Sequence, residues 1–162
     1  MERARYAEVL RRLASNDVEF IVVGMMAGVL RGAPLVTVDL DLVHRRSVEN
    51  VVRLLGVLAG LDATYRHDSR GLRPAQSHLM STGHQLLKTT HGDLDCLGSV
   101  GDGKAYEDLL GRAPALKLGE GLSVRVIDLP TLIELKEHAG RPKDLAVLPV
   151  LRATLEESRR RG

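Results

Sequence analysis

Apolar residues recur at helical spacing from the start of the chain. Tyr6, Val9, Leu10 and Leu13 lie three or four positions apart with arginine and glutamate between them, which predicts an amphipathic helix over 3–15. Asn16 and Asp17 end it. The β-branched run "EFIVVG" then predicts a buried strand over 18–23 that turns at Gly24. "MMAGVLRG" is too apolar for a loop and predicts a short helix ending near Gly32, Ala33 and Pro34. From Val36 to Val43 the period changes to two. Val38, Leu40 and Leu42 take one face of an expected strand, and Asp39 and Asp41 the other. Ser47 is an expected N-cap for a helix over 48–59 that turns Val51, Leu54, Leu55 and Leu58 inward and stops at Gly60.

The second half reads as strands followed by helices. "ATYRHDSRGLRPAQ" reads as a short strand mixed with a basic loop, and "SHLMS" as another expected strand. "HQLLKTTHGDLDCL" predicts two antiparallel strands joined around His91 and Gly92, with Asp93 and Asp95 on one face of the second and Leu94 and Cys96 on the other. A short helix near Tyr106–Leu110 and strands over 115–118 and 122–127 follow. Asp128 then caps a helix with a proline in its first turn and Leu129, Leu132, Ile133 and Lys136 along one stripe. Gly140 closes it, Pro142 starts the last helix, and Pro149 is expected to kink or break that helix. The expected class is α/β or α+β, with one mixed sheet flanked by helices and a helical C-terminal segment. No internal repeat or linker interrupts the 162 residues, so one domain is expected, its core about 1–128 and its C-terminal helices about 129–158.

Composition narrows the function classes. A net charge of +2 gives little global attraction to nucleic acid, and one Phe, three Tyr and no Trp leave no aromatic platform for single-stranded bases. The basic runs at 44–46, 66–73 and 159–161 read as solvated loops and a frayed tail. Cys96 is the only cysteine, which excludes an internal disulfide and fits a reducing compartment. The amino terminus is charged throughout, and the longest mainly apolar run, Phe20–Leu30, falls short of the roughly 20 residues a membrane helix needs. A cytoplasmic protein with no membrane span is expected.

The candidate chemistry lies in the aspartates. Asp39 and Asp41, at i and i+2 on an expected strand, share a face about 7 Å apart at the backbone, close enough to bind one cation. A pair of this kind also reads as a solvated edge. Asp95, on a second expected strand and again between apolar neighbours, completes a set of three acids that suits two-metal chemistry, with Mg²⁺ as the hard cation for oxygen-only ligation. Asp93 shares the face of Asp95 but adjoins the turn and reads as exposed. Gly24, opening a helix just before the pair, offers free backbone N–H groups and a positive dipole end to a phosphate. Lys136 on an apolar stripe needs an anion, which is either Asp144 or a triphosphate. Arg141 and Lys143 read as solvated, the six histidines show no metal spacing, and Cys96 reads as a buried, inert thiol.

Gly24 with Ala27, Arg31-Gly32, "TVDLDLV", "HGDLDCL" and "VIDLPTLIELKEHAGRPKDLAVLPVL" together resemble the small bacterial nucleotidyltransferases of the polymerase-beta-like fold, in particular those related to abortive-infection toxins. The similarity runs from about Phe20 to Leu155, with the elements in the family's order. It implies a nucleoside triphosphate such as ATP as substrate and Mg²⁺ as cofactor. It also implies Asp39, Asp41 and Asp95 as catalytic and metal-binding acids, and Gly24, Met25, Thr37 and Lys136 as nucleotide-binding positions. The implied reaction is attack of a hydroxyl on the α-phosphate with release of pyrophosphate. The hydroxyl would belong to an RNA end, a partner protein or a small molecule, and a cognate toxin or antitoxin is an implied partner. The sequence departs from the family at Met25, where glycine or serine is usual, and at Leu35-Val36, which precede Thr37 in place of a basic residue. These departures give the alternative: a catalytically impaired protein of the same fold, acting as a binding or antitoxin-like module.

Overall fold

The four apolar positions of the first helix, Tyr6, Val9, Leu10 and Leu13, are all buried along one side of α1 (Glu2–Ser15). The computed structural model describes residues 2–162, with side chains from residue 5 onward. β1 (Phe20–Val23) is buried at every residue, as its unbroken apolar run requires of a central strand. It leads directly into α2 (Gly24–Leu30) and then β2 (Leu40–His44) and α3 (Val48–Gly60). β3 (Thr64–Tyr65), α4 (Gln76–Met80), β4 (His84–Thr89) and β5 (Gly92–Leu97) follow. The chain continues through α5 (Tyr106–Leu109), a 3₁₀ turn, β6 (Ala115–Gly119) and β7 (Leu122–Val126), and ends in α6 (Leu129–Ala139) and α7 (Pro142–Arg161).

The seven strands form one mixed sheet in the order β3-β4-β5-β2-β1-β7-β6. β2 runs parallel to β5 and antiparallel to β1, and β1 runs parallel to β7. The mixed α/β class read from the sequence is therefore the one the chain adopts. The caps read from the sequence also hold. Ser47 accepts from Asn50 N, Asp128 accepts from Thr131 N, and Gly140 closes α6 at φ 61°, a left-handed conformation that glycine adopts without strain.

Three expectations change. The strand expected from Val36 starts only at Leu40, because β1 ends at Val23 opposite Asp41 and β5 pairs with β2 only from Leu94 opposite Leu40. Residues 36–39 have no strand partner, and Val36 and Val38 are 91% and 53% exposed. "SHLMS" is helix α4 rather than strand. β4 already has β3 and β5 on its two sides, and only Leu79 of the segment is buried. Pro149 does not break α7, which runs unbroken to Arg161. The proline lies on the exposed side of the helix, and the carbonyl its missing N–H leaves open belongs to Leu145, a residue half exposed to solvent.

One buried polar side chain fixes the entrance to α3. Asn50 accepts from Glu19 N at 2.6 Å and donates to Glu19 O and Arg45 O, both at 2.9 Å, so it ties the start of α3 to the ends of β1 and β2. Glu19 O also accepts from Arg45 N, so replacing Asn50 leaves Glu19 N and Arg45 O without this partner in a part-buried site. Asn50→Ala is expected to lower stability by about 2–4 kcal/mol, read as a lower urea midpoint at unchanged slope.

Candidate active site

The register of β2 on β5 brings two distant aspartates together. Leu40 lies beside Leu94, and Asp41 beside Asp95, on neighbouring parallel strands. Strand alternation sends Leu40, Leu42, Leu94 and Cys96 to one face, where all four are buried, and both acids to the other, about 4.8 Å apart at the backbone. Cys96 is thus the inert thiol expected of it, its ionisation opposed by burial.

Asp41 is the more enclosed of the two. Its Oδ1 is buried without a hydrogen-bond partner. Burial, then the charges of Asp95 and Asp39, push its carboxyl up to about 7, against an opposing pull from Lys136. Gly24 lies against its other oxygen. At φ +66° Gly24 turns β1 into α2, and a Cβ there would come within 2.5 Å of Asp41 Oδ2. Glycine is therefore required for the turn and again for the room the carboxylate occupies. Met25 follows it, partly buried. Asp39 is exposed at the mouth of β2 rather than within the strand. Its N–H donates to Thr37 Oγ1 at 3.2 Å, which is where the structure places Thr37.

Asp95 is already engaged. Arg66 Nη1 donates to Asp95 Oδ1 at 2.9 Å and to Leu87 O at 2.7 Å, and its Nε lies 3.7 Å from Asp93 Oδ2. The basic loop is thus not wholly solvated, and Asp93 is a partner of Arg66 rather than a free surface acid. Among the described residues no three His, Cys, Asp or Glu side chains are gathered at metal-holding spacing. Asp41 and Asp95 are brought together, Asp39 stands at the rim, and Asp95 holds a guanidinium. The donor set still suits a hard cation. It consists of carboxylate oxygens alone, one of them buried and unsatisfied, the donor type that a hard cation such as Mg²⁺ takes.

Lys136 has the partner left open in the sequence. Its Nζ lies 3.1 Å from Oδ1 of Asp144, a fully buried acid that also binds Arg141 through Nε–Oδ2 at 2.6 Å and Nη2–Oδ1 at 3.2 Å. Burial alone would raise the Asp144 carboxyl, but Arg141 and Lys136 together bring it down to about 2. Lys136 is 15% exposed, and its charge opposes the rise of the Asp41 carboxyl. Sequence reading missed Arg66, whose only signal is its place just beyond a short strand, where alternation directs it to the face of Asp95.

No protein-family model matches this sequence, and no curated protein matches it. Solved structures share its fold. TM1012 from Thermotoga maritima, a nucleotidyltransferase by name, aligns over 94% of this chain and 91% of its own with a TM-score of 0.58 at 17% identity. The antibiotic-resistance factor ANT(2'')-Ia aligns over 94% of this chain and 83% of its own, with a TM-score of 0.60 at 16% identity. The chain therefore has a nucleotidyltransferase-like fold. Among the described residues no helix is long and apolar enough to cross a membrane.

Two outcomes follow from the charges. The Asp41 carboxyl titrates near 7 in the fold against an ordinary value of 3.8, so the stability it contributes is fully present below about pH 4 and is lost as the pH rises to about 7. Without divalent cations, Asp41→Asn is expected to melt higher than the parent at pH 8, with the gap closing by pH 4. An unchanged gap would refute the assignment. Asp144→Ala leaves Lys136 without its buried partner and is expected to cost about 3–5 kcal/mol. Asp68→Ala, which removes the partner of the solvent-exposed Arg70, is expected to lower the midpoint by less in the same urea titration.

Proposed function

We propose that this chain is a Mg²⁺-dependent nucleotidyltransferase that moves a nucleoside monophosphate from a nucleoside triphosphate to a hydroxyl acceptor and releases pyrophosphate. The observation that carries this reading is the buried, unpartnered oxygen of Asp41, beside Asp95 and against Gly24, within a nucleotidyltransferase-like fold. Asp39 and Asp41 would hold Mg²⁺, with Asp95 as the third carboxylate. A bound Mg²⁺ supplies neutralisation of the triphosphate charge.

The chain's own groups do the rest. Gly24 and Met25, at the first turn of α2, and Thr37, at the rim, line the approach for the phosphates, and Lys136 offers them a positive charge beside Asp41. The acceptor oxygen bonds to the α-phosphorus as the bond to the pyrophosphate oxygen breaks, and the acceptor's proton passes to Asp95. Such chemistry depends on positioning and preorganised charge rather than on a covalent intermediate. An RNA end, a serine or tyrosine of a protein partner and a small hydroxylated molecule are the acceptor classes, and a toxin–antitoxin pair is the proposed setting.

Two observations favour a second reading, that of a binding or antitoxin-like module. Asp95 is occupied by Arg66, and Met25 stands where a small residue would let phosphate approach the backbone. Calorimetric titration of ATP, CTP, GTP and UTP with Mg²⁺ separates the two. At least one nucleotide is expected to bind only with the metal, and binding is expected to vanish in the Asp39→Asn/Asp41→Asn double variant. Absence of binding by the parent for all four nucleotides would leave the module reading.

A further inference from the structure

Arg66 takes no part in the reaction proposed above, but it is attached to the site at three points. Its own N–H donates to Leu86 O at 3.0 Å, which extends the pairing of β3 with β4 and aims the side chain across β4 toward β5. One guanidinium nitrogen is shared between Asp95 Oδ1 and Leu87 O, and the Nε lies near Asp93. The side chain is only 21% exposed, so its attraction to these acids is screened less than on an open surface. The contact with Asp95 uses one nitrogen rather than the bidentate fork, and Leu87 O remains as an acceptor when Asp95 is taken away. The guanidinium is therefore held close to Asp95 by an arrangement that survives losing it.

Formal charge points the same way. Asp39, Asp41 and Asp95 carry three negative charges when ionised, and Arg66 offsets one of them. Arg66 therefore reduces the attraction of these acids for a divalent cation.

We propose that Arg66 is a resident cation that competes with a divalent metal ion for Asp95. This rests on the reading of Asp39, Asp41 and Asp95 as a cation site. A free metal ion then meets Asp39 and Asp41 first, and Asp95 joins its ligands only as Arg66 withdraws.

Mn²⁺ titration of the full chain without nucleotide, followed by the electron paramagnetic resonance signal of the free ion, tests this. Arg66→Met is expected to bind Mn²⁺ at least about tenfold more tightly than the parent, and Arg66→Lys to stay within about threefold of it. Adding Asp95→Asn to Arg66→Met is expected to remove the gain. Arg66→Gln, which keeps a donor for Leu87 O without the charge, replaces Arg66→Met if circular dichroism shows that variant unfolded, and the same gain is expected. Binding by the uncharged variant within about threefold of the parent, or weaker, overturns the proposal and leaves Arg66 a structural tie. A gain that survives Asp95→Asn overturns it too. If the parent and Arg66→Met both bind no better than Asp41→Asn, the cation site itself fails, and the inference fails with it.

Discussion

Repulsion between Asp41 and Asp95 is the constraint around which this end of the sheet is organised. Parallel pairing of β2 with β5 leaves the two carboxylates side by side, and burial removes the water that would screen them. Each neighbour answers that problem differently. Gly24 yields the space of a side chain to one oxygen of Asp41, Arg66 takes a share of Asp95's charge, and Lys136 acts on Asp41 from the C-terminal helices. The second oxygen of Asp41 is left without a partner. An unsatisfied buried acceptor is costly to keep in a protein interior.

The topology explains how such a pair arises from residues far apart in sequence. α3, β3, α4 and β4 intervene between β2 and β5, and β4 returns antiparallel to set β5 against β2. The same excursion delivers Arg66 at the end of β3, one strand further out. On the other side, β1 enters the sheet next to β2 and turns at once into α2, which puts Gly24 against Asp41. Acids, arginine and glycine turn thus come from separate segments, and the hydrogen-bond ladder of one sheet fixes their spacing.

Much of this was legible in the sequence because period and caps are local. The stripe of Tyr6, Val9, Leu10 and Leu13, the alternation around Asp95, Ser47 and Asp128 as caps, and Gly140 as a stop each depend on a few adjacent residues. What escaped depends on which strands are neighbours. The alternating pattern of Val36–Asp39 is that of a strand, but pairing ends where β1 and β5 end, so Asp39 lies at a rim. "SHLMS" suits either conformation, and only the lack of a free edge beside β4 decides it. Asp39, Asp41 and Asp95 stood out as acids among apolar residues. Arg66 lay in a run of charge that carries no period, and its partner is 29 residues away.

The link among Lys136, Arg141 and Asp144 spans α6, the turn after it and the first turn of α7. It locks those three pieces together from inside, with its acid closed to solvent. α6 cannot swivel against α7 without pulling Lys136 off Asp144, and Lys136 is also the cation that faces Asp41. The two helices pack on α2 through Leu132 and Leu151 beside Gly28, and act on Asp41 through the charge of Lys136. A shift of the last helix that separated Asp144 from Lys136 would also change the charge balance felt by Asp41.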